Sequence, residues 1–392
     1  MTDVAHMRSR SFSARIAREV LGAWGARIGL GWILLLAAVA VFAPFLASSH
    51  PLLLSEAGQI RSPVLAHLTT GDVMMLAAFF GVVLLWRVRT PLYRKGLILL
   101  GLVLLAGLAA GAWLKPPQIV IYEQYREAQR AGAYDWVLNT PIPYSPKDYL
   151  RDVGQSGLQG PLASDRHRHF MGTEENGADV LSRMIHASRI ALGIGFVATG
   201  IAMVLGVIIG GLMGYFSGIA DIIGMRLVEI FEAIPQLFLL LTFVAFFGRS
   251  LYIMMVIIGL TAWPGYARYV RAEYLKLRRQ DYVQAAVASG IPLTSVLFRH
   301  ILPNGVAPIL VAASFGVASA IIAEAVLSFL GLGLVDDPSW GQMLSQAVKS
   351  STFNWWMALF PGGAIFLTVL SYNLIGESMR DAIDPYLRKS GG

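Results

Sequence analysis

The sequence predicts an all-α integral membrane protein with about eight transmembrane helices. Of its 392 residues, 56% are hydrophobic and only 14% are charged, and the mean hydropathy of +0.60 lies outside the usual range of soluble domains. The apolar residues form runs near the roughly 20 residues that cross a bilayer as a helix. The net charge of +7 is spread between these runs, so it indicates membrane topology and a lipid environment rather than nucleic-acid binding.

The candidate transmembrane helices are eight apolar runs. The first follows a basic arm, 1–28, and is expected to be an uncleaved helix because the charged region is long and the run is of spanning length; a cleaved signal peptide is the alternative. The second run is short, and the fifth carries charged residues near its start. The runs lie near 29–48, 73–88, 96–114, 187–216, 225–247, 251–268, 306–330 and 355–376.

The distribution of lysine and arginine predicts the orientation of the chain. Basic residues concentrate in the arm 1–28, in the loop 87–95, in the segment 269–304 and in the tail 377–392. Short loops rich in these residues stay in the cytoplasm, and eight helices with both termini inside put all four segments on that face. The same count of eight helices with both termini inside places the loop 49–72 and a loop-rich region, 115–186, outside.

Glycines recur at four-residue spacing on two of the predicted helices. Gly206, Gly210 and Gly214 form one series, and Gly107 and Gly111 form another. Such spacing lines small residues along one helix face, so it predicts close helix packing rather than chemistry. No internal repeat is evident, which argues against a secondary transporter made of two matching halves.

Several kinds of chemistry are excluded by residues that the sequence lacks. It contains no cysteine, which rules out disulfides, thiolate metal sites and cysteine nucleophiles. No lysine follows a glycine, so a P-loop cannot form and any ATP must be bound by another chain. In the cluster RHRH at 166–169, arginines repel a cation and no carboxylate is spaced to complete a tetrahedron. No metal site is therefore predicted there.

Four glutamates lie inside or at the ends of apolar runs. A carboxylate in hydrocarbon is unfavourable, so each should face protein or water, either as part of a proton or substrate path or as a locally paired group. Arg226 lies three residues before Glu229, and Arg380 three after Glu377, which favours local pairing for those two. Both interpretations stay open for Glu324. The four residues are Glu229, Glu232, Glu324 and Glu377.

The segment QAAVASGIPLTSVLFRHILPN, 284–304, interrupts the apolar pattern on the predicted cytoplasmic side. A helix is expected from Ala272 to Ser289, with Gly290 as its stop and Pro292 as the first residue of a second short helix. Ala285 and Ala286 would let a partner approach the backbone closely. The resulting hairpin could transmit motion from a partner, or it could be an amphipathic surface linker.

This segment resembles the E-A-A-x-x-x-G loop of binding-protein-dependent ABC importer permeases, in the form typical of the dipeptide and oligopeptide group. Gln284 stands where the motif has glutamate, and His300 where the broader motif has isoleucine. Ala285, Ala286 and Gly290 match the motif, and Leu302, Pro303 and Asn304 match its closing L-P-N.

Three further stretches are similar to the same group and occur in the same order. HFMGTEENGADVLSRMIHASRIALGIG at 169–195 matches one segment, with Glu174 for aspartate and Ala178 for arginine. EAVLSFLGLGL followed by PSWGQML, and GESMRDAIDPYLR near the end, match two more. The resemblance covers roughly 165–388 and leaves 50–160 outside, so a helical pair, 73–114, is interpreted as an insertion ahead of the permease core 187–376.

The resemblance implies a type I ABC importer permease core of six helices, namely the first helix and five from about 187. It implies a non-catalytic subunit of a bacterial inner-membrane complex with a homologous second permease, two ABC ATPase subunits that bind ATP and Mg²⁺, and an external solute-binding protein. No cofactor is expected in this chain. The implied ATPase contacts are Gln284, Ala285, Ala286, Gly290 and Pro292, and the implied hairpin closure is His300, Leu302, Pro303 and Asn304.

The implied substrates are di- and oligopeptides, although close relatives carry nickel chelates, antibiotic peptides and some sugars. Glu229, Glu232 and Glu324 are candidates for the translocation path or for structural pairing. Two alternatives of other classes remain: a proton-coupled secondary transporter that uses intramembrane glutamates, and a membrane enzyme with its site in 115–186. The missing internal symmetry and the hairpin argue against the first.

Overall fold

The computed structural model describes residues 12–114, 117, 120–150, 158–163, 169–334, 337–352 and 354–383. The beginning of the arm 1–28, the end of the tail 377–392 and residues 166–168 of the RHRH cluster lie outside this description. The helices are α1 (Phe12–Gly22), α2 (Trp24–Val41), α3 (Ala43–Leu46), α4 (Pro63–Ala66), α5 (Thr70–Trp86), α6 (Leu92–Trp113), α7 (Gln124–Arg130), α8 (Val180–Phe216), α9 (Gly218–Ala233), α10 (Gln236–Phe247), α11 (Leu251–Leu277), α12 (Asp281–Ala288), α13 (Leu293–Ser295), α14 (Leu302–Phe329), α15 (Trp340–Lys349) and α16 (Trp355–Ile383).

The described residues divide between two compact units. The first lies within Met1–Leu34, Ile190–Val335 and Gly362–Gly392, and the second within Leu35–Arg189 and Asp336–Pro361. Six of the described helices are long and apolar enough to cross a membrane, and α9 with α10 makes a seventh if the bent pair is one span. The apolar helix α5, with 17 residues, covers the short second run of the sequence.

The fifth predicted span, 225–247, is broken, and in this respect the expectation of one continuous helix is wrong. Helices α9 and α10 meet at an angle of 82°. Ile234 leaves the helical conformation at the break (φ −89°, ψ 122°) and Pro235 follows it. Proline disfavours helical geometry in the residue before it and has no N–H to continue the ladder, which accounts for the position of the break.

In the first unit, the glycine series on α8 allows close packing against α11, as the spacing predicts. A Cβ atom added at Gly214 would lie 2.6 Å from the carbonyl oxygen of Arg271 and 2.6 Å from Cβ of Tyr274. Added Cβ atoms at Gly206 and Gly210 would also meet backbone atoms of α11. Only residues without a side chain fit at this helix crossing.

In the second unit, the inserted pair α5–α6 is tied to the start of α8 by a charged contact. Asp72 lies in the first turn of α5, forms a capping box with the N-cap residue Thr69 and makes an ion pair with Arg189. The Arg189 guanidinium also donates to the carbonyl oxygens of Ala40 and Val41. Because the buried Asp72 carboxylate takes part in the helix cap and also pairs with Arg189, it holds the start of α5 at a fixed position within this unit.

The second unit also contains a small antiparallel sheet that the sequence analysis did not predict. It consists of β1 (Leu53–Glu56), β2 (Gln59–Arg61) and β3 (Trp136–Leu138), in the order β2–β1–β3. Strands of three or four residues are too short to show an alternating pattern.

Residues 169–183 form a buried polar network in the same unit. Nδ1 of His169, the described residue of the RHRH cluster, lies 2.8 Å from the Asp179 carboxylate, and both side chains are 1% exposed. Nε of Arg183 pairs with Glu174 at 2.8 Å. His169 therefore has a buried structural partner, and Glu174 keeps the acidic group that the aspartate of the similar sequences would supply.

Candidate functional site: the hairpin 269–304 and a membrane cavity

The hairpin begins where α11 ends, and here the expected continuous helix from Ala272 to Ser289 is wrong. Residues 278–280 interrupt it, because Gln280 adopts an extended conformation (φ −74°, ψ 144°) before α12 starts at Asp281. A carboxylate in the first turn stabilises a new helix N-terminus. The chain thus turns before the alanine pair instead of running straight into it.

The turn at Gly290 agrees with its predicted role as a helix stop. Gly290 has a left-handed conformation (φ +71°). Its N–H donates to the carbonyl of Val287 at 3.0 Å, and the N–H of Ile291 donates to that of Ala286 at 3.2 Å. These two bonds form a Schellman motif, which favours glycine at this position. Pro292 is the N-cap of the next short helix rather than its first residue, so this helix starts one residue later than expected.

The second arm of the hairpin continues directly into a membrane helix. Helix α13 runs through a π-helical turn, Val296–Ile301, into α14. Nδ1 of His300 lies 2.9 Å from the carbonyl oxygen of Ser295, and the Asn304 side chain donates to the His300 carbonyl at 2.7 Å. Leu302 starts α14 and Pro303 lies in its first turn.

An apolar cluster fixes the inner side of the hairpin to the membrane helices. Val283 of α12 and Val296, Leu297 and Ile301 of the second arm are buried together with residues of α11 and α14. The hydroxyl of Tyr274 donates to the carbonyl oxygen of Leu297 at 3.1 Å. This cluster packs the hairpin directly against α11 and α14, and close-packed interiors transmit strain.

The two alanines of the motif lie on different sides of α12. Ala285 is exposed, whereas Ala286 is 6% exposed and faces the inside of the hairpin. Consecutive helical residues point about 100° apart, so they cannot share one face. Of the two, Ala285 is accessible to a partner, together with Gln284.

Gln284 has a local structural contact that the sequence did not reveal. Its side-chain amide donates to the carbonyl oxygen of Arg278 at 2.7 Å. The Arg278 guanidinium in turn donates to the carbonyl oxygen of Tyr215 at 2.6 Å. Two successive bonds therefore connect α12 to the ends of α11 and α8, and a glutamate at 284 has no donor for the first of them.

A cavity of about 450 Å³ lies between α8, α9, α11 and α14 of the first unit. Ile234 and Pro235 at the break line it, together with aromatic and small residues. Glu232 is the charged residue among those described in the lining. The volume falls within the range of small-molecule sites.

The candidate carboxylates have different surroundings. Glu229 pairs with Arg226 at 2.5 Å, as local pairing predicts, whereas Glu377 and Arg380 form no ion pair within the described part of the chain. Glu324 is 2% exposed and accepts a hydrogen bond from Ser328 at 2.5 Å.

Two ion pairs between α9 and α11 were not anticipated. Glu232 pairs with Arg268, and Asp221 with Arg271. Sequence separations of 36 and 50 residues gave no local signal of these contacts.

Comparisons with known proteins agree in pointing to one family. The family described as "Binding-protein-dependent transport system inner membrane component" matches residues 206–389. The dipeptide transport system permease protein DppC of Alkalihalophilus pseudofirmus is 38% identical over 241 residues, which are 61% of this chain and 78% of the relative. The oligopeptide transport system permease protein OppC of Haemophilus influenzae is 37% identical over 218 residues, 55% of this chain and 70% of the relative.

Among solved structures, an inward-facing methionine ABC transporter, MetNI, matches with a TM-score of 0.43 and 20% sequence identity. The match covers 51% of this chain and 96% of that chain.

Proposed function

Because the chain belongs to the family of binding-protein-dependent transport system inner membrane components, we propose that it forms the peptide-conducting permease subunit of an ATP-driven importer. The family and the spanning helices make it a multi-pass inner-membrane protein. Relatives named for dipeptide and oligopeptide transport support peptides as the substrate class. Neither the family nor the relatives named above support the alternative of a proton-coupled secondary transporter.

The proposal rests on the hairpin 269–304, which has one buried face and one exposed face. Its inner face is buried against the membrane helices, while Gln284 and Ala285 remain exposed on α12. A soluble ATPase subunit would dock on this exposed face, and its closure on ATP would displace α12. The displacement would pass through the apolar cluster to α11 and α14 and change the accessibility of the cavity.

The remaining components follow from the same proposal. A homologous second permease would complete the passage, two ATPase subunits would bind ATP and Mg²⁺, and an external binding protein would deliver the peptide. This chain would contribute contact residues rather than catalytic ones and would need no cofactor of its own. Both termini would lie in the cytoplasm, on the same side as the hairpin.

Cysteine cross-linking tests the docking face directly, because the chain has no native cysteine. Ala285→Cys places a thiol on the exposed side of α12, and the matched control Ala286→Cys places one on its buried side. In the assembled complex, we expect the first to cross-link to an ATPase subunit and the second not to. Equal cross-linking at both positions, or none at 285, would contradict docking through this face.

A further inference from the structure

The ion pair between Glu232 and Arg268 joins a residue that lines the cavity, Glu232, to a residue next to the hairpin, Arg268. Arg268 is nine residues before the end of α11, or roughly 14 Å along the helix axis. Glu232 lies in the last turn of α9, three residues before Pro235. Glu232 therefore lies within the predicted span 225–247 and Arg268 at the end of the predicted span 251–268, where a charge needs a polar partner or water.

Both side chains remain accessible in spite of this position. The side-chain exposure is 36% for Glu232 and 50% for Arg268. A charged pair in a membrane segment must be in contact with water or with a polar partner, and the cavity provides such an opening. An accessible ion pair is only weakly stabilising, so its members can exchange partners with little net change in free energy.

The other described residues of the cavity wall are suited to binding organic groups of variable size and shape. Phe231, Tyr266, Tyr269 and Phe315 contribute aromatic surface, and alanine and glycine residues widen the space between them. Aromatic faces accept both apolar groups and cations. The charged side chain in the described lining is that of Glu232, and its ion-pair partner Arg268 lies next to the lining rather than in it.

We propose that Glu232 and Arg268 form a bipolar site for the two charged ends of a zwitterionic peptide. The Glu232 carboxylate would accept hydrogen bonds from the peptide ammonium group, and the Arg268 guanidinium would donate to the peptide carboxylate. The peptide side chains would lie against the aromatic wall without strict selection. The inference rests on the proposed function, and it assigns to the permease a recognition of charged termini separate from that of any binding protein.

A purely structural role for the pair would be to clamp α9 onto α11, and the chain contains a matched control for this. Asp221 and Arg271 join the same two helices. Neither of them lines the cavity, whereas in the first pair Glu232 lines it and Arg268 reaches it only through Glu232. Their side-chain exposures, 18% and 30%, are lower than those of the first pair. If the Glu232–Arg268 pair only clamps the two helices, neutralising either ion pair should have the same effect on peptide binding. If it binds the peptide ends, only substitutions of Glu232 and Arg268 should change which peptides bind.

The experiment measures equilibrium binding of radiolabelled dialanine to the purified full transporter without its external binding protein. Competition by free dialanine, N-acetyl-dialanine and dialanine amide is compared in the wild type. We expect each blocked form to bind about tenfold or more weakly, as for loss of one charge-assisted hydrogen bond. E232Q should remove the discrimination against the acetyl form, and R268Q the discrimination against the amide. The double variant D221N/R271Q should retain both.

Equal binding of the three peptides to the wild type would overturn the proposal, as would loss of discrimination in D221N/R271Q. Absence of dialanine binding to a transporter that imports dialanine with its binding protein would overturn the terminal site and leave the proposed function intact. If the complete transporter imports no peptide, the proposed substrate class fails as well. Thermal unfolding of each variant separates a lost site from a lost fold.

Discussion

Gly214→Ala should disturb the helix crossing that supports the hairpin. The added methyl carbon would lie 2.6 Å from both the Arg271 carbonyl oxygen and Cβ of Tyr274, whereas ordinary contact begins at 3.4 Å. The backbones of α8 and α11 must therefore separate by about 0.8 Å, the difference between those two distances. Overpacking of this kind destabilises by about 1–3 kcal/mol.

Gly200→Ala is the matched control on the same helix. A Cβ atom at Gly200 would meet nothing within 4 Å, and alanine is favoured over glycine in a helix interior by about 1 kcal/mol. The control should therefore be neutral or stabilising, so that the two variants differ by about 1–3 kcal/mol in the free energy of unfolding.

The assay combines thermal unfolding of the purified protein with the number of peptides imported per ATP hydrolysed. Tyr274 belongs to the apolar cluster of the hairpin, so displacement of α11 at Gly214 should also lower this transport ratio. Equal stability and equal transport ratio in the two variants would refute the close crossing of α8 and α11 as the support of the hairpin.

Three further predictions concern other contacts. Gln284→Glu should lose the bond to the Arg278 carbonyl, weakening the hairpin by about 1 kcal/mol; increased hydrogen exchange in 281–289 checks this, and unchanged exchange would contradict it. Burial, reinforced by His67 and opposed by Asp148, lowers the pKa of His50 to about 4 from 6.5. Below pH 6.5 the unfolded chain therefore binds more protons than the folded chain. The free energy of unfolding should accordingly be about 2 kcal/mol lower at pH 5 than above pH 6.5. Protection of the β1 amides against hydrogen exchange should show this loss in the wild type but not in His50→Gln. Asp72→Asn should leave the Arg189 charge unpaired and destabilise the second unit by about 3 kcal/mol; a melting temperature equal to that of the wild type would contradict this.

The features that the sequence predicts well have local causes. The stop at Gly290 depends on a left-handed residue between a helix and a proline, and all three signals are adjacent in the chain. The close crossing at Gly214 follows from small residues on one helix face. The Arg226–Glu229 pair lies on a single helix, where three-residue spacing brings side chains together.

The features that the sequence does not predict depend on distant contacts. Nothing local marks the interruption before Asp281, since 278–280 contain neither glycine nor proline. Pro235 is visible in the sequence, but the angle of 82° depends on what surrounds the two helices. The partner of Glu232 lies on another helix and becomes evident only when the fold brings Arg268 to it.

The central claim is that ATP hydrolysis by partner subunits drives peptide import through this chain. The most direct measurement is peptide uptake into proteoliposomes that contain this chain, its partner permease, the two ATPase subunits and the binding protein. Uptake should require ATP and should persist when an ionophore abolishes the proton gradient. Uptake that continues without ATP and without the ATPase subunits, but stops when the proton gradient is abolished, would contradict the account.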